Sequence, residues 1–128
     1  MAVRSEIPES ENWHTGTDHL FRVLVYQADG TTRQDLTGLR PLSWLLKRGH
    51  GEPDAAALVA KTTAGAGGIT VVDDAQGELE ILVEADDTRD LAGGRLVHEL
   101  KIEKDGEESI LMYGPAVLKR ALHLDPPS

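Results

Sequence analysis

The amino-acid sequence predicts an all-β fold made of two packed layers of antiparallel strands. Residues 78–84 alternate Leu, Ile and Val with Glu, the period-2 pattern of a strand with one face on a core and one in solvent. Residues 96–102 alternate in the same way, directly after the glycine pair Gly93-Gly94. Turn signals such as Asp29-Gly30 separate further short apolar runs. Together these patterns predict a sandwich of about seven short strands.

In the first half of the chain, residues 19–26 are rich in apolar and β-branched side chains and are predicted to form a strand. Both of its faces are partly apolar, so we expect a central or doubly covered position. Residues 39–46 form the next predicted strand, in which Trp44 packs between the sheets. Residues 54–61 fit a helical turn through their alanines and a short strand through their position; the strand is preferred.

In the second half, residues 69–72 and 78–84 are predicted to form a hairpin. Residues 85–91 then make one helical turn, capped by an Asp or Thr, that crosses from one sheet to the other. The strand of residues 96–102 leads through a hairpin turn into a last strand, from 109 to about 124, interrupted at Gly114-Pro115.

The length of 128 residues suits a single domain. We expect an extended N-terminal arm over residues 1–17, the sandwich over 18–124 and a tail over 125–128. Trp13 is the one large apolar side chain of the arm, and it anchors the arm either to its own domain or to a neighbouring subunit.

Composition argues against several classes of partner. The net charge of −9 and the scattered Lys and Arg residues argue against direct nucleic-acid binding. No apolar run is long enough to span a membrane, and the N-terminus lacks the apolar core of a signal peptide, so we expect synthesis in the cytoplasm. The chain has no cysteine, which excludes disulfides, thiolate metal sites and a thiol nucleophile.

Motifs for catalysis or metal binding are weak. The five histidines lack metal-pair spacing, and His98 is interpreted as a semi-buried structural residue. Calcium binding is one interpretation of Asp73-Asp74 and Asp86-Asp87, but turn formation and helix capping account for both pairs. We therefore expect no catalytic residues, no cofactor and no metal site, and a protein that is not an enzyme.

The succession of turns and strand residues carries a resemblance. It comprises Gly16-Thr17-Asp18, Asp29-Gly30, Asp35-Leu36-Thr37-Gly38, Trp44, Lys61-Thr62, Ile69-Thr70-Val71, Gly77, Ile81, Asp87-Thr88, Leu91, Gly94, Glu99-Leu100, Asp105-Gly106 and Tyr113-Gly114. Over residues 16–118 this order resembles the immunoglobulin-like domain of tailed-bacteriophage structural proteins, of which the N-terminal domain of the lactococcal phage upper baseplate protein is a type. One departure is Leu96, where that family has an aromatic residue, so a tyrosine-corner hydrogen bond is missing.

The resemblance implies an immunoglobulin-like antiparallel β-sandwich with extended N- and C-terminal arms. It also implies a non-enzymatic structural subunit of the virion (head–tail connector, tail, baseplate or capsid surface) that contacts other virion proteins and copies of itself. The alternative is an immunoglobulin-like module that binds a host-surface glycan or protein. The candidate partner-binding residues are Trp13, His14, Tyr113, Leu122 and Leu124.

Overall fold

A computed structural model describes residues 3–4, 13–27, 29–104 and 107–120. The elements of these described residues, in chain order, are β1 (Val3–Arg4), β2 (His19–Leu24), β3 (Leu42–Lys47), a 3-10 helix (Asp54–Ala56), β4 (Val59–Thr62), β5 (Ile69–Asp73), β6 (Glu78–Val83), α1 (Ala85–Thr88), β7 (Gly94–Lys104) and β8 (Glu107–Leu118). No helix in these ranges is long and apolar enough to cross a bilayer.

The strands form two sheets. One sheet has the order β1-β8-β7-β3-β4 and the other the order β2-β6-β5. Neighbouring strands are antiparallel throughout, except that β1 runs parallel to β8. The predicted all-β sandwich is therefore confirmed.

The strand order is that of an immunoglobulin-like domain. Such domains place their third, sixth and seventh strands (C, F and G) in one sheet and B, E and D in the other, and variable-type domains add C′ beside C. In the five-stranded sheet, the places of strands C, F and G are taken by β3, β7 and β8, and the place of C′ is taken by β4. In the three-stranded sheet, the places of B, E and D are taken by β2, β6 and β5. The predicted immunoglobulin-like fold class is thus confirmed.

The core lies between the two sheets and is centred on Trp44, which is 1% exposed. Its ring lies between Phe21 of β2, at 6.1 Å between centroids, and His98 of β7, at 6.2 Å. In antibody domains the equivalent tryptophan packs against a disulfide that joins strands B and F. Here an aromatic residue and a histidine take that place. The Trp44 Nε1–H donates to His98 Nδ1 at 3.2 Å, so this nitrogen carries no proton.

Residues before β2 belong to the same core. Trp13 is fully buried and meets the Phe21 ring edge-on, with 5.0 Å between centroids. His14 forms a parallel bridge with Lys119, directly beyond β8. Of the two anchoring alternatives for Trp13, the structure places it in its own domain. The arm was expected to be extended with little regular structure, and its residues Val3–Arg4 pair with β8.

Besides shifts of a few residues at the ends of strands, two predicted segments differ from the structure. Residues 54–61 contain both alternatives in succession, because the 3-10 helix over Asp54–Ala56 precedes the strand Val59–Thr62. The predicted interruption at Gly114-Pro115 is wrong, since β8 continues through both residues. Pro115 is tolerated because β1 pairs with β8 only at Met112 and Tyr113, which leaves Pro115 beyond β1 on the outer edge.

The helical turn α1 crosses between the sheets as predicted, since it joins β6 to β7. Its N-cap residue is Glu84, not the predicted Asp or Thr. One of the carboxylates that satisfy the first N–H groups belongs to α1 itself, and the other belongs to a residue before β2. Asp87 accepts from the Glu84 N–H at 2.7 Å, and Asp18, before β2, accepts from the Ala85 N–H at 2.7 Å.

Candidate protein-interaction surface

The outer surface of the three-stranded sheet is unusually apolar. We call it the β2 face and define it by the outward side chains Leu20, Arg22, Leu24, Thr70, Val72, Glu78, Glu80 and Leu82. Its four hydrophobic members are exposed at 50% (Leu20), 39% (Leu24), 52% (Val72) and 37% (Leu82). They make up four of the six exposed large hydrophobic residues in the described part of the chain. Single exposed apolar residues are ordinary, but a group of them on one surface is typical of an interaction site.

The register of β2 and β6 sets the pattern of this face. Leu20 lies directly opposite Leu82, and Arg22 lies directly opposite Glu80. Arg22 Nε is 3.6 Å from Glu80 Oε2, and the Arg22 side chain is 79% exposed. A cross-strand leucine pair therefore lies beside a cross-strand ion pair that remains open to solvent.

The opposite side of the same strands is packed into the core. Phe21, Leu79 and Ile81 are at most 5% exposed. Because alternate residues of a strand point to opposite sides, burial of this inner set fixes the direction of the outer set. The β2 face is thus presented by rigid strands and not by a loop.

The outer surface of the five-stranded sheet differs, because residues 48–58 between β3 and β4 contribute groups that cover the part of it around Lys47. Lys47, on the outer side of β3, is only 2% exposed. Its Nζ lies 2.8 Å from Asp54 Oδ1 and 2.8 Å from Glu99 Oε1 on β7, and donates to the Glu52 carbonyl at 3.0 Å. We call Lys47, Glu52, Asp54, Glu99 and Lys101 the Lys47 cluster.

Opposing effects act on the charge of Lys47. Burial alone lowers the pKa of this ammonium, but hydrogen bonds and charge attraction from Asp54 and Glu99 outweigh it, so the pKa is raised above the usual 10.5. Hydrogen bonds from Lys101, at 2.7 Å, and from Lys47 hold the pKa of the Asp54 carboxyl below its usual 3.8. Both shifts favour the charged forms, an ammonium on Lys47 and a carboxylate on Asp54. The contacts of the Lys47 cluster tie residues 52–54 to the sheet.

The predicted partner-binding residues do not come together in one site. Trp13 is buried and unavailable to a partner in this conformation, and His14 is partly buried beside Lys119. Tyr113 is 36% exposed on β8 and meets the His50 ring edge-on at 5.4 Å. Leu122 and Leu124 lie outside the described residues.

The acidic pairs that suggested calcium are engaged in local structure. Asp73 accepts from the Gln76 N–H at 3.2 Å, and Asp74 pairs with Arg40 at 2.8 Å. Asp86 pairs with Arg89 at 2.6 Å, and Asp87, besides its role at α1, lies 2.6 Å from Lys61 Nζ. In the described ranges, no group of three or more His, Cys, Asp or Glu side chains is placed to hold a metal ion.

The β2 face was missed by the sequence prediction although its signal was present. Both faces of residues 19–26 are partly apolar, and this was taken to indicate a central or doubly covered strand. The structure shows that β2 is the terminal strand of its sheet and that its outer side is exposed, so the prediction is wrong for the single chain. The second apolar side of this strand was therefore the sequence feature that indicated an exposed interaction surface.

Comparison with known proteins was made with family models, curated proteins and solved structures. No family model matches the chain, and no curated protein matches it. A solved structure, that of the NK cell receptor NKp44, described as a triggering partner in natural cytotoxicity, is similar at 16% identity. The match covers 94% of this chain and 99% of that chain, with a TM-score of 0.47. The immunoglobulin-like class rests on the strand order described above.

Proposed function

We propose that this protein is a non-enzymatic structural subunit of a tailed-phage virion and acts through protein–protein contacts. The observation that carries the assembly role is the β2 face, a rigid surface with four exposed hydrophobic side chains. The proposal that this assembly is a virion rests on the resemblance of residues 16–118 to the immunoglobulin-like domains of phage structural proteins.

The charges of the chain support contacts with proteins over contacts with nucleic acid. The net charge is −9, with 22 acidic and 13 basic residues. Two of the basic residues, Lys47 and Lys101, are engaged by carboxylates of the Lys47 cluster. Binding along a phosphate backbone depends on exposed Lys and Arg, so the partners we propose are other virion proteins and further copies of this chain.

The test is the composition of the particle. Gradient-purified particles of the phage that carries this gene are analysed by quantitative mass spectrometry, with a phage replication enzyme as the control for contamination. We expect the protein in the particle peak at several copies per particle, while the replication enzyme is depleted. Recovery of the protein only in the soluble lysate, at the level of the control, refutes the virion role.

A second candidate function is the binding of a host-surface glycan or protein, and the pair of Tyr113 and His50 favours it. Exposed aromatic rings are frequent anchors at binding sites, and Tyr113 is 36% exposed with His50 edge-on at 5.4 Å. A glycan array probed with the wild-type protein and with Tyr113→Ala tests it. Signals that are present for the wild type and lost in the variant support this function. An array without signal above background rules out glycan binding.

A further inference from the structure

The pattern of the β2 face is complementary to itself under a two-fold rotation. We propose that two copies of this chain pack with their β2 faces against each other. The two-fold axis that relates them lies in the interface, parallel to the strands and midway between β2 and β6. This inference rests on the proposed assembly function and names a second copy as the partner. An interface of this kind uses the same residues on both sides.

The register of the two strands determines which residues meet. The rotation brings β2 of one copy over β6 of the other. Because Leu20 pairs with Leu82 and Arg22 with Glu80 within one chain, the same residues oppose each other across the interface. Leu20 then covers Leu82 of the second copy, and the four leucines form one apolar cluster. Arg22 covers Glu80 of the second copy, twice by symmetry.

The ion pair within one chain leaves capacity for this contact. The separation of 3.6 Å between Arg22 Nε and Glu80 Oε2 is longer than a charge-assisted hydrogen bond of about 2.7–2.9 Å. A guanidinium has five N–H donors, and this one is 79% exposed. Arg22 therefore has donors to offer to a second carboxylate. The alternative rotation, about an axis across the strands, places Arg22 against Arg22 and is disfavoured by repulsion.

The size of the face sets the strength of the contact. Strands β2 and β6, which the rotation places over one another, have six residues each and make a face of about 20 Å by 10 Å. This is well below the roughly 800 Å² that each partner contributes to a stable interface. The pairing is consequently weak in dilute solution and becomes effective where copies are held close together, as in an assembly.

The test uses charge reversal on exposed positions. Arg22→Glu and Glu80→Arg are compared with the wild type by methyl and amide NMR over about 0.02 to 1 mM, the range in which so small an interface associates. We expect the wild-type signals of Leu20 and Leu82 to shift with concentration. Each single variant places like charges against each other across the interface, and we expect its association constant to fall by about tenfold.

An equimolar mixture of the two variants provides the decisive measurement. In a mixed pair, the carboxylate introduced by Arg22→Glu meets the guanidinium introduced by Glu80→Arg in the other chain. The unchanged Glu80 of the first variant meets the unchanged Arg22 of the second. Both contacts are attractive again, although each variant alone carries like charges, and we expect the mixture to associate at least as strongly as the wild type. Recovery that occurs only on mixing cannot arise from an effect within one chain.

Two hydrophobic variants complete the design. Leu20→Ser removes half of the proposed leucine contact and is expected to weaken association. Ile110→Ser on β8 removes a comparably exposed side chain, 40% against 50%, outside the β2 face and is expected to leave association unchanged. Circular dichroism verifies that both variants are folded.

Two results overturn the inference: wild-type spectra that do not change up to about 1 mM, or a mixture that associates no better than its components. The proposed virion function has a separate test, because it depends on the presence of the protein in purified particles. Presence there without self-association points to a different protein as the partner of the β2 face. Self-association without presence in particles refutes the virion role and leaves the dimer standing.

Discussion

The substitution Lys47→Met tests whether the Lys47 cluster stabilises the fold. Methionine keeps most of the aliphatic stem of the side chain but removes the ammonium. Glu99, whose side chain is 4% exposed, then loses the cation 2.8 Å away. Removing one partner of a buried ion pair costs about 3–5 kcal/mol, because the other charge remains buried without compensation. We expect a loss in this range in the free energy of unfolding.

The double variant Lys47→Met with Glu99→Leu separates this cost from lost packing. Glu99→Leu alone leaves Lys47 bonded to Asp54 and to the Glu52 carbonyl, so we expect a smaller loss of about 1–3 kcal/mol. In the double variant no charge of the pair remains, and we expect stability within about 1 kcal/mol of the wild type. The three values form a double-mutant cycle with a large coupling energy.

Urea denaturation followed by tryptophan fluorescence is the assay. Both tryptophans of the chain are buried, at 0% and 1% exposure, so their emission reports global unfolding. Arg89→Met is the control, because the pair of Arg89 with Asp86 is exposed at 58% and 79% and contributes little. If Lys47→Met costs no more than this control, or if the two single losses simply add in the double variant, the cluster is not a coupled buried pair.

Two further predictions concern a glycine and a carboxylate. Gly77 has φ +63°, and a Cβ at this position would lie 2.5 Å from the Gln34 carbonyl oxygen. Gly77→Ala is therefore expected to lower the free energy of unfolding by several kcal/mol in the same urea assay. Gly30→Ala is the control, because Gly30 has φ +74° but open space around it, and we expect this variant to cost only about 1–2 kcal/mol. Equal losses of stability in the two variants would contradict a close contact between residue 77 and the Gln34 carbonyl. Because Lys101 and Lys47 lower the pKa of Asp54 below 3.8, the stabilisation by Asp54 is present above that pH and is lost as the pH falls through the lowered value. The stability difference between wild type and Asp54→Asn, measured by urea titrations from neutral to acid pH, is expected to shrink below about pH 4; a constant difference refutes the linkage.

The parts of the fold that sequence predicted are those governed by local pattern. Strand β6 was predicted because Leu79, Ile81 and Val83 recur at every second position, and all three are at most 1% exposed. The crossing turn α1 follows from the acidic run after that strand. Trp44 was placed between the sheets because so large an apolar ring is costly to leave in water.

The features that sequence did not reveal depend on distant partners. Lys47 lies directly after the predicted strand of residues 39–46 and was not assigned to it. Its burial depends on Glu99, which is far away in the chain and reaches it only because β3 pairs with β7. Whether an apolar face of β2 is covered or exposed likewise depends on sheet order, which period-2 alternation does not specify.

Phe21 and His98 stand where antibody domains have a disulfide between the two sheets, and this has a consequence for the unfolded chain. A covalent crosslink acts largely by restricting the denatured ensemble, whereas ring packing acts only once the sandwich has formed. Denatured molecules of this protein are therefore open chains without a closed loop. Refolding requires no oxidant and no exchange of sulfur partners, and the unfolding curve is expected to be the same with and without a thiol reductant.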